Sequence, residues 1–414
     1  MSHLSGKHIL LGVTGGIAAY KSAELVRRLR EQDAEVCVVM TAGAREFITP
    51  LTLQALSGQP VHTDLLDSGA EAAMGHIELA RWADVLLVAP ATADFIARRV
   101  HGRANDLLAA VCLACKAPQA VAPAMNRAMW EDTATRDNIA LLHECGIQVL
   151  GPAAGSQACG ETGPGRMLDP GDLVQQLAGL FQHDALAGCR VLVTAGPTRE
   201  AIDPVRFLSN RSSGKMGYAV AEAAVEAGAQ VTLVAGPVSL QSPARVEHID
   251  VETAADMHQA VMERIAGTDI FISAAAVADY RPQAAASHKI KKSASRMTLV
   301  LERNPDILAA VAAIHAGPFT VGFAAETHAV EANAQKKRLA KSLDMIAANI
   351  VGTGLGFDTD DNALHVFWEG GAVQLDRTRK PRLARQLMAL IAERYHATHS
   401  KDTVLKRLHA KDSA

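Results

Sequence analysis

The chain has 414 residues, a formal net charge of −3, and 49% hydrophobic against 21% charged residues. That length exceeds one ordinary core and suits two domains of about 200 residues each, while the weak charge gives no electrostatic reason to expect a nucleic acid or an anionic membrane as partner. No apolar run approaches the length of a bilayer span, and MSHLSGKHILL enters a strand directly, which reads as a cytoplasmic protein without a signal peptide.

Apolar runs predict strands at 8–13, 36–40, 84–90 and 119–123, with helices at 18–31, 50–57 and 133–145 between them. This alternation argues for a parallel sheet covered by helices on both faces. The first turn carries Gly12, Gly15 and Gly16 ahead of Ile17-Ala18, a helix start whose free N–H groups attract phosphate, although the GxGxxG spacing is absent. An Asp or Glu that would hold an adenosine ribose is also absent, because the second strand ends in Met40-Thr41. Thr92 follows VLLVAPA at a carboxyl strand end, the edge where doubly wound folds bind ligands.

The cysteines at 37, 112, 115, 145, 159 and 189 have no disulfide-framework spacing. Cys112 and Cys115 form a CxxC inside an apolar run with no second pair nearby, so they read as small buried side chains and not as a metal site. Residues 151–166 hold five Gly and two Pro in sixteen positions, which predicts a mobile loop and leaves Cys159 as an accessible thiol. Residues 170–188 read as a helix and connector.

The pattern then restarts at VLVTAGPTREAIDPVRFLSNRSSGKMG, again a strand, a glycine turn and a helix start. Strands are predicted near 190–195, 230–235, 269–274 and 318–323, with helices at 216–228, 254–266, 305–314 and 329–343. VTLVAGP also ends without an acid, so ordinary NAD binding is disfavoured in both halves, while a mononucleotide phosphate at each helix start is not. SSGKMG shares letters with a P-loop but lacks its spacing, and Met216 cannot bind Mg²⁺ as Ser or Thr would. ADYRPQAAASHKIKKSAS predicts a second mobile loop, and the chain from about His396 reads as a polar, basic tail. The expected fold is α/β, two doubly wound Rossmann-like domains in series, at 1–188 and 189–395, with a tail at 396–414.

GGIAAYK, the His of GHIELARWAD, PATAD, PAMNRAMW at 123–130 and the Cys of ACGETGPGRM together resemble the homo-oligomeric flavin-containing cysteine decarboxylases, which implies a flavodoxin-like first domain. TAGPTREAIDPVRFLSNRSSGKMG, SAAAVADYRP, KIKK, NPDIL and GFAAET resemble phosphopantothenate–cysteine ligase. Fused in this order over about residues 5–395, the two resemble the family of bacterial bifunctional coenzyme A biosynthesis flavoproteins. That resemblance implies CTP-dependent ligation of 4′-phosphopantothenate to cysteine, then FMN-dependent decarboxylation to 4′-phosphopantetheine. It also implies a dodecamer of flavin-domain trimers and ligase-domain dimers, with the flavin lying between protomers.

Loss of CO2 from a cysteine carboxylate needs an electron sink, and oxidation of CH2–SH to a thioaldehyde by a flavin makes one. The resemblance assigns His76 as acid/base, Asn126 to the substrate carboxylate and Cys159 as the proton donor during re-reduction. For FMN, the helix start (Gly15, Gly16, Ile17, Ala18) is assigned to the phosphate on physical grounds, whereas Thr41 and Thr92 follow from the resemblance. Activating a carboxylate with a nucleoside triphosphate calls for cations and Mg²⁺, the latter held mainly by the CTP phosphates. Lys289, Lys337 and Lys341 are available, although KIKK alone reads better as a solvated charge run than as a phosphate site. By resemblance Asp279, Pro305, Asp306, Ile307, Leu308 and Phe323 contact the nucleotide. Lys289 serves formation of the acyl-cytidylate, Asn210 the attack of cysteine on it, and Arg206 and Asn210 hold the pantothenoyl substrate. Residue types alone do not separate CTP from ATP. A nicotinamide oxidoreductase is the enzymatic rival, opposed by the missing ribose acids, and a flavin-binding regulatory protein that has lost catalysis is the non-enzymatic one.

Overall fold

The computed structural model describes residues 4–65, 75–243, 245–291, 296–326, 330–350 and 359–399. The chain divides into two compact units, Met1–Phe181 and Gln182–Ala414.

In the first unit β1 (His8–Val13), β2 (Glu35–Met40), β3 (Val61–His62), β4 (Val85–Ala91), β5 (Gln119–Pro123) and β6 (Gln148–Val149) form one sheet in the order β3-β2-β1-β4-β5-β6. All five pairings are parallel. Every residue of β1 and β4 is buried, which is why HILLGV and VLLVAPA read as continuous apolar runs. Alternate side chains feed two cores. Leu11, Val38 and Leu87 meet Leu25, Leu29 and Leu53 on one face. Leu10, Val39, Leu86 and Val88 meet Ala80, Phe95 and Leu108 on the other. The apolar run around the CxxC is helix Leu107–Ala114; it buries Cys112, and burial pushes that thiol up to about 12. Cys115 is buried beside it.

The glycine-rich stretch expected to be a mobile loop is instead an antiparallel hairpin, β7 (Ala153–Ser156) with β8 (Thr162–Arg166). Its glycines serve close approach. A Cβ on Gly163 would stand 2.4 Å from the Arg127 side chain, and one on Gly165, at φ +132, would stand 2.5 Å from the Met125 carbonyl.

In the second unit eight strands run in the order β13-β12-β9-β14-β17-β18-β19-β20. They are β9 (Arg190–Ala195), β12 (Gln230–Ala235), β13 (Val246–Asp250), β14 (Ile270–Ser273), β17 (Phe319–Glu326), β18 (Met345–Ile350), β19 (Asp361–Trp368) and β20 (Gly371–Arg379). The first six in spatial order are parallel, and β19 and β20 close the edge as an antiparallel pair. Two ribbons stand outside the sheet: β10 (Arg199–Ala201) with β11 (Phe207–Ser209), and β15 (Tyr280–Pro282) with β16 (Leu301–Arg303). The second expected loop therefore contains a strand at 280–282; its last residues, 292–295, lie outside the described residues.

The alanines of helix Lys215–Glu226 let it pack closely against the sheet and against helix Lys380–His399, where Ala221 and Ala224 share a core with Leu383 and Leu387. That last helix continues past 396 to His399, and 400–414 lie outside the described residues. No helix among the described residues is long and apolar enough to cross a membrane.

Candidate active sites

In the first unit the strand order reverses between β1 and β4, so the loops leaving these strands part and open a crevice at their carboxyl ends. Thr14 fastens the two sides: its buried hydroxyl donates to the Pro90 carbonyl at 2.8 Å and accepts from the Thr92 amide at 3.1 Å. Gly15 follows because the loop after β2 touches the loop after β1 backbone to backbone; a Cβ there would lie 2.7 Å from the Gly43 carbonyl carbon. Ile17–Tyr20 then forms a single 3-10 turn leading into helix Lys21–Glu31.

A cavity of about 520 Å³ opens here, walled by Gly15 to Ala18, Tyr20, Lys21 and Thr92 on one side and by Met125, Asn126, Met129 and the hairpin residues 156–159 on the other. Thr92 caps helix Ala93–Val100, accepting from the Phe95 amide. Thr41 is buried, caps Ala42–Arg45 and adjoins Gly43, so it borders the turn without lining the cavity. Lys21, which sequence reasoning did not single out, donates to Asp169 at 2.7 Å and to the Met167 carbonyl at 3.1 Å, tying the foot of the hairpin to the glycine turn. Its ammonium holds the Asp169 carboxyl below the usual range.

Asn126 and Cys159 meet at this cavity. Asn126 caps helix Arg127–Glu131 through Oδ1, which accepts from the Ala128 amide at 2.7 Å, and that bond fixes which way the amide faces. Its Nδ2 is directed at the hairpin tip, 2.9 Å from Glu161 Oε2, 3.3 Å from Cys159 Sγ and 3.4 Å from Gln157 Oε1. Gln157 accepts from the Arg127 amide at 3.0 Å, which pins the tip to the start of the helix. His76 is not brought to this group. It is half-buried in the first turn of helix Gly75–Trp82, which packs on the core containing Ala80 and Phe95, and it does not line the cavity.

In the second unit a cavity of about 460 Å³ lies beyond the ends of β14 and β17, and Asp279, Pro305, Asp306, Ile307, Leu308, Phe323, Lys337 and Lys341 all line it. Asp306 divides its carboxylate: Oδ1 caps helix Ile307–Ala312 at the Ala309 amide, and Oδ2 pairs with Lys341 at 2.6 Å. Burial pushes Asp306 up, and the Lys341 ammonium, the Ala309 amide and Lys337 together more than offset it, so the carboxyl sits below the usual range. Lys337 donates to the Phe323 carbonyl at 2.9 Å.

Asn210, Arg206 and Lys289 stand apart from that lining. Asn210 donates to the carbonyls of Val277 at 2.9 Å and Ala276 at 3.3 Å, beside the point where β9 and β14 diverge. Arg206 is held by Asp203, which sequence reasoning passed over. The carboxylate of Asp203 is inaccessible to solvent and accepts from the amides of Val205, Arg206 and Ile290 at 2.9, 2.9 and 3.1 Å, and from the Arg206 guanidinium. Arg206 in turn donates to the Ile290 carbonyl at 3.0 Å. Asp203 and Arg206 thus grip the residue next to Lys289, whose own side chain is exposed. The Arg206 guanidinium holds the Asp203 carboxyl well below the usual range. Lys215 of SSGKMG pairs with Asp360 at 2.7 Å.

The family described as "Flavoprotein" matches residues 1–182, and "DNA/pantothenate metabolism flavoprotein C-terminal domain" matches residues 186–395. The Coenzyme A biosynthesis bifunctional protein CoaBC of Vibrio cholerae is 57% identical over 95% of this chain and 100% of that protein. The chain belongs to this family of bifunctional coenzyme A biosynthesis proteins. Its members from Escherichia coli K12, at 53% over 95% of the chain and 98% of that protein, and Bacillus subtilis, at 45% over 89% and 92%, match along both units. A crystal structure of the C-terminal domain of a CoaBC protein aligns with 51% of the chain and 97% of that structure at 43% identity, with a TM-score of 0.44. The flavoprotein half of the family coincides with the crevice that holds Asn126 and Cys159, and the C-terminal half with the cavity that holds Lys337 and Lys341.

Proposed function

We propose that the chain is a cytoplasmic enzyme that ligates 4′-phosphopantothenate to cysteine with CTP in its second unit and decarboxylates the product to 4′-phosphopantetheine in its first, with FMN and Mg²⁺ as cofactors. The observation that carries the reading is the meeting of Asn126 and Cys159, 3.3 Å apart, on an apolar cavity at a sheet reversal. The residues present suit FMN: the glycine turn leaves backbone N–H groups free of side-chain cover for a phosphate, and Ile17, Met125 and Met129 offer apolar walls for a ring. Gly15, Gly16, Ile17 and Ala18 would hold the phosphate, with the hydroxyls of Thr41 and Thr92 beside it. When bound, FMN supplies the two-electron chemistry at the thiol-bearing carbon that gives the departing CO2 an electron sink.

Asn126 presents Nδ2 to the substrate carboxylate, its orientation set by the cap at Oδ1. Cys159 holds a proton on Sγ for return to the substrate carbon. His76, outside the lining of the cavity of its own chain, serves as acid/base in the cavity of a neighbouring copy; Ile17 and Tyr20, 64% and 62% exposed on the cavity wall, leave room for that copy. The resemblance of the sequence is what supports flavin-domain trimers and ligase-domain dimers assembled as a dodecamer.

In the second unit the carboxylate of phosphopantothenate attacks the α-phosphorus of CTP and pyrophosphate leaves; the amine of cysteine then attacks the acyl-cytidylate and CMP leaves. Asp279, Pro305 to Leu308 and Phe323 hold the nucleoside, and Lys337 and Lys341 face its phosphates. Mg²⁺ is carried by those phosphates; among the described residues no cluster of three metal-ligating side chains competes for it. Lys289 assists acyl-cytidylate formation, while Asn210 and Arg206 hold the pantothenoyl portion for attack.

The test is an absorbance spectrum of the purified protein, followed by mixing with phosphopantothenate, cysteine, Mg²⁺ and CTP while CO2 and pyrophosphate are followed. A yellow protein that releases both supports both halves. Pyrophosphate without CO2 removes the decarboxylase, and a colourless protein inert to CTP removes the whole reading.

A further inference from the structure

Glu161 is the one acidic side chain at the hairpin tip with a hydrogen bond to Asn126, and its position is not explained by ion pairing. Arg127 feels its charge at longer range, yet the Arg127 guanidinium is directed to Glu131 at 2.9 Å and to the Thr162 carbonyl at 3.4 Å. Among the described residues no cation lies within ion-pair distance of Glu161; its partner is the neutral amide of Asn126 at 2.9 Å. With Oδ1 committed to the Ala128 amide, Asn126 offers only its NH2, whose two hydrogens are shared among Glu161, Cys159 and Gln157, the Glu161 contact being the shortest. The tip that carries Glu161 is itself closed, the Gln157 amide donating to the Glu161 carbonyl at 2.8 Å and the Gly160 amide to the Gln157 carbonyl at 2.9 Å. The side chain is nevertheless exposed and free to swing outward.

We propose that Glu161 is a positioning residue that acts as a built-in stand-in for the substrate carboxylate, occupying Asn126 Nδ2 until the substrate displaces it and reclaiming that donor once the carboxylate has left as CO2. The inference rests on the decarboxylase reading of Asn126. The substrate offers Nδ2 the same chemistry as Glu161, an anionic oxygen acceptor, so the two exchange one for one without an unpaired donor at either end of the exchange. The product has no carboxylate and cannot hold Nδ2 against a tethered competitor whose effective concentration is fixed by the hairpin. Glu161 therefore raises the concentration of substrate needed for binding and leaves the product unaided. Cys159 shares the same Nδ2, so the exchange takes place beside the thiol.

The test uses the full-length flavin-bound protein, with Glu161→Ala and Glu161→Gln. The KM for phosphopantothenoylcysteine is read from CO2 release, and the competitive inhibition constant of phosphopantetheine is measured in the same assay. Glu161→Ala should lower KM about threefold to tenfold while the product constant stays within about twofold, and Glu161→Gln, which keeps a weaker neutral acceptor, should fall between. A KM that is unchanged or raised overturns the exchange, as does a shift of both constants by one common factor, which is what a loosened hairpin would produce. A wild-type protein that releases no CO2 overturns the decarboxylase reading itself, an outcome separate from a working enzyme indifferent to Glu161.

Discussion

The two sheets share one strand order and differ in how the chain leaves the first strand. In both, the six parallel strands run 3-2-1-4-5-6 when numbered along the chain within each unit. Both bring the loops after the first and second strands into backbone contact, through Gly15 and Gly43 in one unit and Gly196 and Gly236 in the other. Both use a threonine near the end of the first strand to accept from an amide beyond the fourth: Thr14 from Thr92, Thr194 from Ala275. The first unit then turns directly into its helix, which leaves a glycine cradle at the crevice. The second inserts the β10–β11 ribbon before helix Lys215–Glu226, and the carbonyls beyond β14 are met by Asn210 instead. A common sheet thus supplies the edge, and the length of one connection decides what chemistry stands on it.

The largest effect expected from breaking this division is at the hairpin tip of the first unit. Cys159→Ser should still release CO2 but accumulate an oxidised enethiol, with normal product formation reduced about 100-fold to 10,000-fold. Trapping of the enethiol by mass spectrometry, with pyrophosphate release by the second unit unchanged, checks it; normal product at the normal rate removes Cys159 as proton donor.

Next comes the glycine contact. A Cβ on Gly236 would lie 1.8 Å from the Pro197 carbonyl oxygen, whereas one on Gly43 would lie 3.4 Å from Gly15 Cα. Gly236→Ala should destabilise the second unit by about 3 kcal/mol and Gly43→Ala the first by under about 1 kcal/mol. Denaturant unfolding, with flavin absorbance reporting the first unit, separates the two; equal costs would show that the closeness of the backbone approach does not set the cost.

Among the described residues the Asp203 grip has no counterpart in the first unit. Asp203→Asn should slow ligation about tenfold to 100-fold by releasing Arg206 and the backbone beside Lys289, while CO2 release from supplied phosphopantothenoylcysteine is unchanged. Because the folded carboxyl is held below its unfolded value, its contribution to stability is present above about pH 4 and is lost as the pH falls further. Acid unfolding of the second unit should therefore depend less on pH in Asp203→Asn than in the wild type.

Much of the shared scaffold was legible from residue patterns because strands buried on both faces must be continuously apolar, as VLLVAPA and VLVTA are. The edge escaped. β19 and β20 are half-exposed strands joined across Glu369 and Gly370, with the alternation of an edge pair and no continuous apolar run. The β7–β8 hairpin is written in glycines that resemble a loop, since only packed neighbours such as Arg127, Met125 and Arg166 explain why side chains are absent there. At the sites, Asn126 and Cys159 could be named from their strings, but the carboxylates beside them could not. Nothing around Glu161 or Asp203 in the sequence marks a partner 35 or 87 residues away.

The smallest expected effects test whether the two threonine fasteners are equivalent. Thr14 uses its hydroxyl twice, as donor to Pro90 at 2.8 Å and acceptor from Thr92 at 3.1 Å, whereas Thr194 accepts one long bond of 3.4 Å from Ala275. Both are buried, so Val in either place keeps the volume and removes the hydroxyl. Thr14→Val strands the Thr92 amide and leaves the Pro90 carbonyl with only the Thr14 amide at 3.3 Å, and should cost about 1–3 kcal/mol; Thr194→Val strands one weakly bonded amide and should cost about 1 kcal/mol or less. Thr92 lies on the wall of the first cavity, so Thr14→Val should also lower the flavin retained on purification, while Thr194→Val leaves it unchanged. Equal stability losses with full flavin content would mean that the fastener holds the sheet alone and that the shape of the crevice is set by the glycine turn.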